Sequence, residues 1–431
     1  MEYSLIGFAA LLLLSFVGVP LGYATLTVGL VGLTLLRGFG PALIMAGEQI
    51  RGVASSYGLS VIPLFVLMGG FIYRANVSDD LYEAGHAWLG RLRGGLAMST
   101  IFACAAFSAV CGSSLATAAT MSRVSMEPMR RYKYDDALST GSLAAGGTLG
   151  FMIPPSVPMI LYSIVARVDL GKLFIAGILP GILLAVLYCA AIGVRVAITP
   201  ELGPRGDVTP RAQKWRTLYR TWPIMALFVL VIGGIYLGVF TPTEAGAIGA
   251  FGAYVYAVSR GRLRTLKELI AAFYEAIMTT GMLFAVLFSA LIFAQFVNLA
   301  GLPYAVTSMV HGMHLGATGL VLVICLLCIL MGSVFESIGI LVLVVPVFLS
   351  SLQAVHVDLL WFGIIVIIVV EMGLITPPIG MNVFTVRSII RDVPLTTIFR
   401  GVIPFVYADV VALALLFLVP AIATILPRLM G

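Results

Sequence analysis

Gly150-Phe-Met-Ile-Pro154-Pro155-Ser156-Val-Pro158 and Gly373-Leu-Ile-Thr-Pro377-Pro378-Ile-Gly-Met-Asn382 each lie inside a long apolar run, and their reading decides how the chain is built. A proline within a helix removes a backbone donor and collides with the preceding turn, so two in succession interrupt a helix rather than merely bend it. The interruption leaves carbonyl groups bare at the end of one half-helix and N–H groups bare at the start of the next. For one such motif, a kink that only shapes packing would be explanation enough. Two matched interruptions point instead to an ion or substrate site, because bare carbonyls suit a cation and a half-helix N-terminus suits an anion.

The rest of the chain supplies the setting. Of 431 residues, 61% are hydrophobic and 10% charged, and the mean hydropathy is +1.10. A water-soluble protein of this length could not cover its core with so little charge. The opening Met1-Glu2-Tyr3 lacks a basic start and runs into Leu5–Val17, which predicts a retained helix rather than a cleaved leader. Spans of roughly 20 apolar residues, enough to cross hydrocarbon, are predicted near 4–18, 21–36, 59–74, 137–167, 174–196, 223–240, 244–258, 272–298, 361–387 and 402–426.

The net charge of +6 reports orientation rather than a nucleic-acid partner. With the N-terminus outside, all but five of the 25 Lys and Arg (Arg37, Arg51, Arg167, Lys172 and Arg428) fall on the cytoplasmic side, as the positive-inside rule expects. Two apolar regions do not alternate. Residues 95–122 sit between Arg91/Arg93 and Arg123/Arg130/Arg131, so both ends face the cytoplasm; residues 318–350 lack Lys and Arg on either flank, so both ends face outward. Each has a break at its centre, Cys111-Gly112-Ser113-Ser114 and Gly332-Ser333-Val334-Phe335-Glu336-Ser337, which reads as the tip of a re-entrant hairpin.

The halves repeat: Gly150/Gly373 and Pro154/Pro377 are 223 residues apart, and Gly177/Gly401 and Pro180/Pro404 are 224 apart. Matched elements cross in opposite directions, so the fold class expected is an all-α polytopic membrane protein with an inverted structural repeat: about ten spans, two re-entrant helical hairpins and two interrupted helices. The first repeat is 1–198, the second 222–431, and the basic stretch 199–221 is a cytoplasmic linker. The segments 41–56 and 75–93 mix charge with apolar residues and are predicted to lie on the membrane surface.

Ser113, Ser114, Pro154, Ser156, Ser337 and Asn382 are the candidate substrate ligands around the tips and breaks. Glu336 and Glu371 are acids at membrane depth, costly there and therefore candidates for coupling; capping of the second hairpin helix is an equal reading of Glu336. Glu244 in Thr241-Pro-Thr-Glu244 reads as a capping box. The five cysteines, including Cys325-x-x-Cys328, lie in apolar segments and read as packing rather than disulfides or redox chemistry. His311, His314 and His356 fall in outer loops without a scaffold for a metal. With no Walker A motif, energy must come from an ion gradient, and no organic cofactor is called for.

These residues resemble the large membrane (permease) subunit of tripartite ATP-independent periplasmic (TRAP) transporters. The likeness rests on Ile153-Pro-Pro-Ser-Val-Pro158, Leu173-Phe-Ile-Ala-Gly-Ile-Leu-Pro180, Phe240-Thr-Pro-Thr-Glu-Ala245 and Gly373–Asn382, and covers essentially the whole chain. It implies an elevator-type, Na⁺-coupled importer of organic acids, such as dicarboxylates or sialic acid, in the bacterial inner membrane. A periplasmic substrate-binding protein would deliver the small carboxylate, and a separate small membrane subunit would complete the scaffold. One Na⁺ site carries over as Gly332, Gly373, Thr376 and Ile379, largely through carbonyl oxygen; by the internal repeat, Ala109, Gly150, Ile153 and Ser156 would form another. Glu336 stands where many relatives have Asp, and Cys111 where many have Ser.

Three rivals remain at this level. A proton-coupled transporter of the same architecture would use Glu336 and Glu371. An intramembrane serine enzyme lacks a histidine in the apolar segments to serve as base. A pure scaffold would leave the two matched breaks without a purpose.

Overall fold

The computed structural model describes residues 2–304, 308, 316–333 and 335–430; the histidines at 311 and 314 and Val334 of the second tip lie outside the described residues. The described chain is helical, with no strand. In order it forms α1 (Glu2–Phe16), α2 (Leu21–Arg37), α3 (Phe39–Ala54), α4 (Val61–Arg74), α5 (Val77–Leu89), α6 (Gly95–Cys111), α7 (Ser114–Arg131), α8 (Asp136–Met152), α9 (Val157–Ala166) and α10 (Leu170–Ile198). After the link come α11 (Arg211–Tyr236), α12 (Pro242–Ser259), α13 (Leu266–Leu299), α14 (Ala317–Gly332), α15 (Ser337–Ala354), α16 (Leu359–Ile375), α17 (Met381–Ile389), α18 (Leu395–Leu418) and α19 (Ala421–Leu429). Six of the described helices are long and apolar enough to cross a bilayer, and α8 with α9 makes a seventh span bent by 41°.

Local chemistry explains where the helices start and stop. Asp135, Ser156, Asp169 and Asp358 cap α8, α9, α10 and α16 with their side chains, each satisfying an N–H that the helix itself cannot. Thr241 and Glu244 close a reciprocal capping box at α12, with Glu244 Oε2 accepting from Thr241 N at 2.8 Å. α11 begins at Arg211, ahead of the apolar run predicted from 223, because hydropathy marks only the part of a helix that lipid would touch. The last predicted span, 402–426, is two helices: Pro420 cannot donate into a ladder, and Val419 before it leaves the helical region at φ −130°, ψ 74°.

The segment expected as a surface arm at 75–93 is a correction. α5 buries Leu81, Tyr82, Ala84 and Ala87 against α6 and α11, so its apolar face is covered by the protein itself. α3, by contrast, buries only Ala42 and Ala46 and leaves Phe39, Leu43 and Ile44 exposed.

Two separate apolar cores hold the described residues together. The larger runs from α4 to α12, takes in the first two-thirds of α13, and continues through α14 to α19. The smaller joins α1, α2 and α3 to the far end of α13, with Leu343 and Val347 of α15 reaching in. The segment after α10 is bonded to the foot of α6/α7: Gly94 N donates to Gly203 O and Gly206 N to Gly90 O, both at 2.9 Å, and Asp135 N to Leu202 O at 3.0 Å.

Candidate functional site

Helices α6 and α7 pack on one another across a turn at Gly112–Ser113, and α14 and α15 do so across Ser333–Glu336. Gly112 adopts φ +65°, a left-handed value that side chains disfavour, and a Cβ there would meet Pro155 O at 2.6 Å. Thus the first turn is seated on the first helix break. A Cβ on Gly150 would lie 2.8 Å from the Ser113 carbonyl. The second turn meets the second break as closely. A Cβ on Gly373 would stand 2.7 Å from the Cα and carbonyl carbon of Gly332, and Ile379 N donates to Ser333 O at 3.0 Å.

Between these two assemblies lies a cavity of about 420 Å³. Cys111, Gly112 and Ser113 line it from one turn, Glu336 and Ser337 from the other, with Phe151 and Val157 flanking the first break and Leu374 and Met381 the second. Its remaining wall is one face of α7 from Leu115 to Arg123, with α4 and α13 opposite. Two helix N-termini, those of α7 and α15, therefore face one space, which favours a negatively charged group there. Ser113 Oγ accepts from Ala116 N at 3.4 Å as the cap of α7. Glu336 occupies the N-cap position of α15 but its side chain makes no capping bond. The Ser337 hydroxyl is buried and has no hydrogen-bond partner among the described residues, a state that buried polar groups rarely keep without a ligand or water.

The other predicted residues lie around this cavity rather than in its wall. Ser114 and Asn382 meet behind it: Asn382 Nδ2 donates to Ser114 Oγ at 2.8 Å and to Ala144 O at 3.0 Å, joining α7, α8 and α17. Ser156 is fully buried and donates to Phe151 O at 2.5 Å, bridging the first break; Pro154, Ile153 and Gly150 belong to the same break, and Ala109 is buried on α6. Thr376 Oγ1 donates to Gly373 O at 3.3 Å. With Pro377, Thr376 opens on a second cleft of about 350 Å³ that it shares with Arg400. Both Pro154–Pro155 and Pro377–Pro378 peptide bonds are cis.

Sequence reasoning passed over several groups that the fold brings to the main cavity. Arg123 on α7, Tyr73 on α4 and Glu275 on α13 line it, and Glu275 is paired with Arg74 at 2.8 Å. Their separation along the chain hid them; only an arginine in the same helix that follows the small-residue tip offered a hint. A buried acid on α18, Asp409, accepts from Tyr188 at 2.6 Å. It bears the same mark as Glu371, a charge in an apolar helix, and was open to the same reading.

The model of the tripartite ATP-independent periplasmic transporter, DctM component, matches residues 8–422. The chain is 32% identical over 396 residues to the C4-dicarboxylate TRAP transporter large permease protein of Pseudomonas aeruginosa, covering 90% of this chain and 92% of that one. It is 30% identical over 430 residues to the sialic acid TRAP transporter large permease protein of Vibrio cholerae, covering 99% and 98%. The crystal structure of the Alcanivorax borkumensis YdaH transporter has a similar fold, with a TM-score of 0.62 at 16% identity over 91% of this chain and 89% of that one. A match over nearly the whole length to one family, together with an all-helical body carrying helices fit to span a bilayer, identifies a multi-pass transport protein. The chain belongs to the DctM component family of tripartite ATP-independent periplasmic transporters.

Proposed function

We propose that this chain is the permease of a Na⁺-coupled importer that carries a small carboxylate across the bacterial inner membrane, fed by a periplasmic binding protein and completed by a separate small membrane subunit. The observation that carries the reading is the cavity shared by two helix turns, each backed by its own helix break, with the partnerless Ser337 hydroxyl in its wall. The N-termini of α7 and α15 favour the carboxylate, Ser113 and Ser337 offer it hydroxyl donors, and Arg123 supplies a cation at the cavity wall. The Na⁺ ions belong beside the cavity, where Gly332, Gly373, Thr376 and Ile379 present backbone oxygens, joined by the Thr376 hydroxyl, at the second break and Ala109, Gly150, Ile153 and Ser156 present theirs at the first. Neutralising positive charge next to the cavity strengthens anion binding, so ion and substrate favour one another, which is the thermodynamic content of symport.

The halves are an inverted repeat, with α6/α7 and α14/α15 as re-entrant hairpins, and transport is an elevator movement. A body holding both hairpins and both breaks slides against a frame that includes α1, α2 and α3, whose apolar core the far end of α13 completes. Under the charge-based orientation Arg74 and Arg123 are cytoplasmic, so a cavity walled by Tyr73 and Arg123 is open inward. Relatives are named for C4-dicarboxylates, sialic acid, ectoine and isethionate, and the hydroxyls and helix N-termini of the cavity select for the acid group rather than for the rest of the molecule.

Proteoliposomes containing this chain, its small subunit and the cognate binding protein are expected to accumulate an organic acid only when Na⁺ is higher outside. Uptake that is indifferent to replacement of Na⁺ by choline would overturn the coupling; no uptake of any acid would overturn the function.

A further inference from the structure

Away from the central cavity, α11 and α12 pack side by side and leave between them a groove of about 620 Å³ lined by these two helices alone. Pro223, Leu227 and Leu230 of α11 form one wall and Gly252, Val255 and Tyr256 of α12 the other; spacings of three and four residues put each set on one helix face. Leu227 is buried, and a Cβ on Gly252 would stand 2.6 Å from Leu227 Cδ1, so the two close the floor. Leu230 and Val255, each 49% exposed, form the open flanks.

Arg220 and Arg260 head the groove at one end. Arg260 Nη2 donates to Asp80 Oδ2 at 2.5 Å, and Asp80 is only 6% exposed, so a buried carboxylate holds this guanidinium in place from behind. Arg220 Nη1 donates to Glu83 Oε2 at 3.4 Å, a pairing of two largely exposed side chains that contributes little. A guanidinium has five donors, and each of these uses one among the described residues. Arg216, one turn earlier on α11, and Arg262 and Arg264 after α12 add to them, with Arg264 Nε donating to Val258 O at 3.3 Å. Five arginines thus stand against the three acids of α5, Asp79, Asp80 and Glu83, and the end of the groove keeps a positive excess. Tyr219 and Trp222, 80% and 64% exposed, mark this level as the boundary between bilayer and water, where such side chains gather.

Length decides what fits. From Arg220 to Leu230 is about 15 Å of helix, half of a hydrocarbon core of roughly 30 Å. A transmembrane helix of a partner would need an apolar groove about twice as long and would press the arginines against itself, whereas a phospholipid needs the depth of one leaflet and brings an anion for the guanidinium forks. A zwitterionic lipid also carries an ammonium, which the excess arginines repel; a lipid with a single net negative charge does not.

We propose that the groove between α11 and α12 binds one anionic phospholipid, with its headgroup on Arg220 and Arg260 and an acyl chain lying on Leu227 and Gly252. Under the charge-based orientation both arginines are cytoplasmic, which places the lipid in the inner leaflet. Lipid binding here requires neither Na⁺ nor a transported acid, so its failure leaves the transport reading untouched.

Native mass spectrometry of the full chain, purified with its small membrane subunit in mild detergent and titrated with phosphatidylglycerol or phosphatidylethanolamine, tests the site. One phosphatidylglycerol per chain is expected to persist at collision energies that strip phosphatidylethanolamine. Arg220→Gln is expected to weaken its retention about fivefold. Leu230→Trp, which fills the lower groove and keeps both arginines, is expected to weaken it as well, whereas Arg428→Gln, remote in the chain from both helices, leaves it unchanged. All three positions are exposed, which keeps folding out of the comparison. Equal retention of the two lipids overturns the proposal, as does phosphatidylglycerol retention that is the same in the parent chain, Arg220→Gln and Leu230→Trp. Retention by the chain alone that vanishes once the small subunit is bound also overturns it, and gives the groove to that subunit.

Discussion

Gly373 and Thr376 show how little side chain the second break tolerates. Alanine at 373 would place a methyl 2.7 Å from the backbone of Gly332, where no side chain can swing away. Gly373→Ala is expected to cost about 1–3 kcal/mol, read as a lower unfolding temperature in detergent, and to abolish Na⁺-dependent uptake. Thr376→Val keeps the shape and removes a hydroxyl that now bonds Gly373 O at 3.3 Å. Loss of one oxygen contact predicts a Na⁺ requirement raised on the order of tenfold, with unfolding temperature little changed; an unaltered Na⁺ titration would remove Thr376 from the ion's surroundings. At this scale the sequence located the glycines and prolines of both breaks because their backbone chemistry is local. It could not tell that Ser114 and Asn382 satisfy each other, since that bond spans 268 positions.

Among the elements, legibility followed the range of the forces. The ends of α6 and α14 and the starts of α7 and α15 fall at the predicted tips, because a glycine or polar break inside an apolar run is a local signal. α5 defeated the same reasoning: a helix half charged and half apolar looks alike whether lipid or protein covers its apolar face, and here α6 and α11 cover it. The end of α7 is tied across the molecule by Arg130, which pairs with Asp136 at 3.4 Å and with Asp392 at 2.5 Å. The hydrogen bond from Arg130 holds the Asp392 carboxyl below the usual carboxylate range. A depressed acid contributes stability above its unfolded value, about 3.9, and loses it as pH falls through the lower folded value. Asp392→Asn is accordingly expected to lower the unfolding temperature slightly at neutral pH and by progressively less as pH falls below the unfolded value of about 3.9; a loss that does not change with pH would assign the effect to packing.

The whole molecule has an orientation that charge alone predicts. Val208 is 71% and Val239 64% exposed, on the two sides of α11, whereas three of the five native cysteines are buried and none is exposed. In spheroplasts, a membrane-impermeant thiol reagent is expected to label Val239→Cys and to miss Val208→Cys until the membrane is permeabilised. The reverse pattern would invert every assignment of inside and outside, and with it the inward opening of the cavity. Two cores, unlike the helices, could not be read from the sequence, because hydropathy does not say which apolar faces meet.

The three backbone bonds from Leu202, Gly203 and Gly206 make the connection between the halves something other than a slack cord. Its first part is riveted to the foot of α6/α7, so that stretch must ride with the first hairpin wherever it goes. The Tyr132 hydroxyl also donates to the Asp207 carboxylate at 2.5 Å, so only residues 208–210 remain to flex before α11 begins. So short a leash limits how far the first hairpin can part from the start of α11, and lengthening it, rather than altering the cavity, is the way to learn whether that limit matters.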